Sequence, residues 1–191
     1  LYVMDGYFMV LSYLKSDCQR YEDAREIINQ ILPYADKDMK ARILPKTPLS
    51  WYFEGIRFQM RQQYEQAMIC MEKACKGFHE VGETDNEIDA LCKLANIKEH
   101  LYDTIGSLDT YQEAKRLVIE LKDDGKLMEI LKEQHRLTQM LGDTEFAFNL
   151  SIEMDSIVAV TDNPKIRFDY YDYKGDEAVK RGVFNSAEQL Y

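Results

Sequence analysis

Trp51, Gly55, Phe58, Tyr64, Ala67, Met71 and Ala74 stand in the spacing W-x3-G-x2-F-x5-Y-x2-A-x3-M-x2-A, which constrains this chain more than any other feature. Residues three and four apart share a helix face, so Trp51, Gly55 and Phe58 form one stripe of a first helix. Ala67, Met71 and Ala74 form the matching stripe of a second helix. Gly55 lets the neighbour approach closely, and Ala67 is small enough to sit at the crossing. Two antiparallel helices packed face to face are therefore expected here.

The same pattern recurs along the chain. Phe8, Leu11 and Ser12 precede Tyr21 and Ala24, with Ile28 and Ile31 continuing the stripe. Leu91, Leu94 and Ala95 precede Ala114, Leu117, Val118 and Leu121. Leu131, His135 and Thr138 precede Gly142-Asp143-Thr144 and Ala147, and Tyr171, Gly175 and Ala178 precede Gly182 and Ala187. Taking the second-helix alanines 24, 67, 114, 147 and 187 as markers gives steps of 43, 47, 33 and 40 residues. The third unit is the most stretched, with 19 residues between Ala95 and Ala114 against 12 between Gly55 and Ala67. Its seven extra residues are nearly two helical turns, which keeps the buried stripe in phase.

Punctuation divides the chain at the same places. All four prolines fall at boundaries: Pro33 after the first hairpin, Pro45 and Pro48 before the second, Pro164 before the fifth. Thr47-Pro48 and Asn163-Pro164 place proline at a first helical position behind a cap. Thr84 with Glu87 reads as a capping box opening the third unit, and Gly82 and Gly125 mark junctions. The units expected are residues 1–46, 47–83, 84–123, 124–162 and 163–191 of one helical domain. The start at Leu1 and the stop at Tyr191, inside a second helix, suggest a piece of a longer protein.

The 51–74 pattern resembles the tetratricopeptide repeat (TPR), with Trp, Gly and Tyr on its first helix and a small Ala on its second. Glu54 stands where a Leu is usual, no proline closes the unit, and the spacing exceeds the ideal of about 34 residues. The resemblance implies an all-α fold, a TPR-like right-handed superhelix of antiparallel helix pairs with about five irregular units, the last truncated. It also implies a binding scaffold and not an enzyme.

Composition narrows the partners. A content of 46% hydrophobic and 30% charged residues suits a folded, soluble chain. The net charge of −10 argues against nucleic acid and against anionic membrane, whose phosphates it would repel. The opening LYVMDGYFMVLSYL is interrupted by Asp5 and is too short to cross a bilayer, so no membrane insertion by this chain is expected. Cys18, Cys70, Cys75 and Cys92 lack the close pairing of zinc ligands and read as small core residues. They lean toward a reducing compartment, with an exported, disulfide-bonded domain as the alternative.

Chemistry-bearing motifs are missing from the sequence: there is no G-x-S-x-G elbow, phosphate-binding glycine loop, H-E-x-x-H helix or calcium loop. No cofactor, metal or catalytic residue is nominated. Asp123-Asp124-Gly125-Lys126 reads as a solvated turn and His135 as a packed histidine at the crossing position. Asn149-Leu150-Ser151 is a sequon inside a helix. Asp169, Asp172 and Asp176 form an acidic ridge.

In a repeat array the first helices line the inner, concave face. Residues beside the buried stripes on that face are Tyr13, Tyr52, Ile56, Gln59, Asn96, Glu99, Lys132, Arg136 and Gln139. Asn can bond the backbone of an extended peptide, Tyr can cover its side chains, and Lys132 with Arg136 can hold a carboxylate. A protein or peptide partner is thus expected, and a homodimer is compatible with it. Alanine at Tyr52, Asn96 and Arg136 should weaken binding with little effect on stability.

The stretches 153–157, 170–176 and 187–191 resemble sensor regions of bacterial signalling proteins, in which irregular repeats precede a membrane helix and a histidine kinase or DNA-binding output domain. Such regions commonly lie outside the cytoplasmic membrane, which favours an extracytoplasmic placement. Ala95, Thr104, Ser107, Leu108, Asp109 and Ala114 resemble instead the long-helix repeats of cytoplasmic peptide-pheromone regulators. A regulatory array attached to an enzyme domain is the third alternative.

Overall fold

The computed structural model describes residues 48–180 and Gly182, and the readings placed on Tyr13, on the hairpin from Phe8 to Ile31, on Cys18 and on Ala187 lie outside these residues. Seven helices follow in order: α1 (Pro48–Met60), α2 (Tyr64–Val81), α3 (Thr84–His100), α4 (Thr104–Leu121), α5 (Asp124–Leu141), α6 (Thr144–Val160) and α7 (Pro164–Lys180). No strand occurs among the described residues. Contacts divide the chain into two compact units at Gly82, with α1 and α2 in the first and α3 to α7 in the second.

In the first unit, α1 and α2 pack as a hairpin. Tyr52, Gly55 and Ile56 are the buried residues of α1; those of α2 are Ala67, Cys70, Met71, Ala74, Cys75 and Phe78. A Cβ on Gly55 would lie 2.9 Å from the Met71 Cε and 3.3 Å from the Ala67 carbonyl oxygen, so the glycine sits at a true close approach. The stripe is turned by one residue from the expected one. Trp51 and Phe58 are only half-buried, and the Lys73 ammonium lies 4.2 Å from the centre of the Trp51 ring.

In the second unit, α3 pairs with α4 and α5 with α6, while α7 packs on α5 and α6. Met128, Leu131, Leu150, Met154, Ile157, Val158, Ile166 and Tyr170 make one core across α5, α6 and α7. Burying each of these side chains contributes roughly 1.5–3 kcal/mol. Leu121 was expected to continue the buried stripe of its helix but is 43% exposed, because it lies in the last turn, beyond Val118.

The turns reveal a regularity that the alanine markers hid. Gln62, Tyr102, Gly142 and Gly182 all have positive φ, each forty residues after the last, and Gly82 and Lys122 repeat at the same interval. Ala67, Ser107 and Ala147 are each the fourth residue of their helix and are all buried. The third unit's counterpart of Ala67 is therefore Ser107, not Ala114, which sits two turns further along the same stripe. The stretched and shortened steps expected around this unit were a product of that marker.

Asparagine and aspartate fix the starts of α4, α5, α6 and α7. Asp103, Asp123 and Asp143 accept from the backbone N–H groups of Gly106, Lys126 and Phe146 at 2.9, 3.0 and 3.0 Å. Asn163 accepts from Lys165 N–H at 3.0 Å, as its place before Pro164 suggested. The Thr84–Glu87 capping box does not form: α3 begins at Thr84 itself, and its cap residue Glu83 makes no side-chain cap bond. Replacing Asp143 by Ala should cost about 1 kcal/mol, because an N–H of the first turn loses its acceptor. The shift in the thermal midpoint relative to Asp143→Asn measures this.

Candidate functional site

Three first helices, α3, α5 and α7, lie side by side in the second unit and are joined by a row of polar contacts. Lys126 on α5 reaches Asp85 and Asp89 on α3 at 3.2 and 3.4 Å. Arg136 on α5 donates to both carboxylate oxygens of Glu99 on α3, at 2.8 and 2.6 Å, and also to Glu133 at 2.8 Å. Gln139 on α5 donates to Glu177 on α7. Among the second helices, Lys115 on α4 pairs with Glu153 on α6 at 2.6 Å. Partners in adjacent repeats are separated by 37 or 38 residues in the Glu99–Arg136, Lys115–Glu153 and Gln139–Glu177 pairs.

The nominated residues divide by unit. Tyr52 and Ile56, read as open-face residues, are core: they are 5% and 6% exposed. The Tyr52 ring meets Phe78 edge-on with centroids 6.2 Å apart, because α1 turns the Tyr52–Gly55–Ile56 stripe onto α2. Neither side chain is presented to a ligand, and alanine at Tyr52 would cost stability. Gln59 is half-buried on α1. In the second unit, Asn96 and Glu99 on α3 and Lys132, Arg136 and Gln139 on α5 are all half-buried.

Arg136 is committed to its neighbours and not open to an incoming carboxylate. The Glu99 bond and then Glu133 raise its pKa against the opposing pull of burial. The same bond from Arg136 holds Glu99 below the usual carboxylate range. Stability from the pair is therefore present at neutral pH and lost as pH falls through the depressed Glu99 value. Glu99→Gln should lower stability by about 1 kcal/mol at pH 7, since an ion pair this open to solvent is screened. The gap between variant and parent should begin to narrow below about pH 4.3, where a free Glu takes up its proton, and close only below the depressed Glu99 value. Urea midpoints at pH 7 and pH 3.5 check this, and an equal gap at both would show that the pair carries no charge-dependent stability.

Sequence reasoning missed Glu133 and Glu177 as partners and the Asp85–Asp89–Lys126 cluster, and placed Tyr170, Tyr171 and Tyr173 between core and groove. A separation of 37 or 38 residues finds Glu177 from Gln139 and Asp89 from Lys126, but it needs the forty-residue register, and Asp85 stands 41 residues from Lys126. Lys126 sits at a capped helix start and not in an open turn. Burial works against its charge, yet Asp89 and Asp85 outweigh this and raise its pKa. The Cys92 thiol is pushed up to about 12 by burial and by Asp89 and Glu129, which makes it a poor nucleophile at neutral pH. Asp172 and Asp176 are exposed on α7, and Asp169 is half-buried.

No family model matches the chain, and no curated protein matches it. Solved structures do. The crystal structure of BtubC (BKLC) from P. vanneervenii superposes with a TM-score of 0.65 at 15% identity, covering 98% of this chain and 76% of that one. A Podosopora anserina protein described as a kinesin light chain with nearly identical TPR-like repeats superposes with a TM-score of 0.62 at 13% identity, covering 98% and 90%. At these identities the likeness shows the fold: an all-α solenoid of TPR-like helical repeats.

Proposed function

We propose that this chain is a non-catalytic module that binds a protein or peptide along the first-helix face of its second unit. The observation that carries this reading is the Glu99–Arg136 bridge, which locks α3 and α5 into one surface before any ligand arrives. A surface ordered in advance spends less entropy on binding. Asn96 and Lys132 lie half-buried on that surface, where Asn can bond a peptide backbone and Lys an oxygen acceptor. In the wider setting, the module is the sensor or interaction region of a larger bacterial signalling protein. The likeness of residues 153–157 and 170–176 to such regions supports this. No helix among the described residues is long and apolar enough to cross a membrane.

A displayed library of random ten-residue peptides, selected on the parent chain, tests the surface. Peptides selected in this way should bind the double variant Asn96→Ala, Lys132→Ala at least about tenfold more weakly, a loss of about 1.4 kcal/mol. The variant's thermal midpoint should stay at the parent value. Parent-like binding by a folded variant would place the ligand elsewhere on the chain.

A further inference from the structure

The bridge that Arg136 makes between α3 and α5 is uneven. Glu99 engages both of its carboxylate oxygens. Both contacts with Glu133 fall on Oε2 alone, from Arg136 Nε at 3.0 Å and Nη2 at 2.8 Å. Glu133 Oε1 is left over, on a side chain 44% exposed. One guanidinium also serves two carboxylates, so the bridge as a whole keeps a negative charge. Glu129, exposed one turn earlier on the same face of α5, adds to it. Lys132 lies about 100° round α5 from Glu133, on the side of His135 and Gln139, which contact α7.

A second observation comes from the helix behind. Tyr111 on α4 follows Met71 by forty residues, and the Met71 Cε stands 2.9 Å from a Cβ placed on Gly55. Ala95 on α3 is the counterpart of Gly55, so Tyr111 crosses α3 there and its longer side chain carries the hydroxyl past the crossing. Cys92 and Glu99 stand a turn to either side of Ala95. The phenol feels these neighbours: burial and then Glu133 raise its pKa, Cys92 and Glu99 add to this, and Arg136 opposes it. The hydroxyl therefore faces the bridge from below. Tyr111 is 4% exposed, and its hydroxyl has no hydrogen-bond partner among the described residues. A buried polar group in that state is unfavourable until something completes it.

We propose that the seam between α3 and α5 takes a basic side chain, lysine or arginine, of the bound protein or peptide, with Glu133 Oε1 and the Tyr111 hydroxyl as its acceptors. This rests on the peptide-binding reading above and names the residue class which that surface selects. An ammonium or guanidinium carries several N–H donors and no acceptor, so it satisfies both oxygens at once. Its unbranched stem lets the charged tip reach a buried oxygen while the peptide backbone stays at the surface. An acidic side chain would meet Glu133 and Glu99 instead, and Arg136 is already held by them.

The random ten-residue displayed library, selected on the whole parent chain, tests this. The selected peptides should share one position rich in Lys or Arg. They should bind Glu133→Gln about tenfold more weakly at low ionic strength, and the loss should shrink as salt screens the pair. Replacing the shared basic residue by Gln should cost as much, and the two losses should not add, since each removes the same contact. Tyr111→Phe should also weaken binding while its thermal midpoint stays at or above the parent value, because the lost hydroxyl bonds nothing in the fold. Should Glu133→Gln melt early, the same cycle with Tyr111→Phe decides. Peptides without a basic position, or losses that add in full, overturn the proposal and leave peptide binding standing. Parent-like binding by Tyr111→Phe overturns the pairing of two acceptors. A parent chain that enriches no peptide rejects the peptide-binding reading and this one together.

Discussion

Replacing Gly55 by Leu is expected to unfold the α1–α2 hairpin. A Cβ at this position already meets the Met71 Cε at 2.9 Å and the Ala67 carbonyl oxygen at 3.3 Å. Met71 is flexible and can withdraw its end, but the carbonyl moves only if α2 moves. The remaining atoms of leucine have nowhere to go, and overpacking of this kind costs about 3 kcal/mol or more. Gly55→Ala should be far milder, because the better helix propensity of alanine offsets part of the contact by up to about 1 kcal/mol. Trp51, the only tryptophan, lies on the same helix and reports the event. Its fluorescence in urea should show a low-denaturant transition in the Leu variant and a parent-like one in the Ala variant. A Leu variant with the parent's midpoint would mean that the helices do not cross at Gly55.

Leu131→Ala is expected to cost about 2–5 kcal/mol, the range for emptying a fully buried leucine site. Leu131 is 0% exposed in the cluster that joins α5, α6 and α7, so the cavity would be lined from several directions and could not collapse easily. Leu121→Ala is the internal control: its side chain is 43% exposed, and the change should fall within about 0.5 kcal/mol of zero. Urea unfolding followed by far-UV circular dichroism separates the two. Equal effects from both would deny that the cluster is the core of the second unit.

Helix positions were legible in the sequence because their signals are local. Pro48, Gly82, Gly142 and Pro164 act on their own backbone, and the stripes around Gly55, Leu91 and Leu131 act at helical spacing. What escaped depended on register. Alanine alone does not mark the second-helix crossing: the crossing asks only for a small residue, and Ser107 meets that demand. The slip of seven residues to Ala114 made the repeat look irregular. It also hid the interval at which Glu99 finds Arg136 and Gln139 finds Glu177. Tyr52 and Ile56 were misplaced for a different reason: a stripe of three positions leaves the rotation of α1 uncertain by one residue. Which flank of Gly55 turns inward is settled by Phe78, on the other helix.

The even recurrence of left-handed turns at Gln62, Tyr102, Gly142 and Gly182 bears on how such a chain can change over generations. A gene segment encoding one whole period, copied or lost between two of these turns, would keep every crossing residue opposite a suitable mate. A copy that ends part-way through a helical turn would set polar surface against apolar interior at the seam. Units can therefore be gained or shed in whole steps, and the surface lengthened or shortened, without redesigning the neighbours.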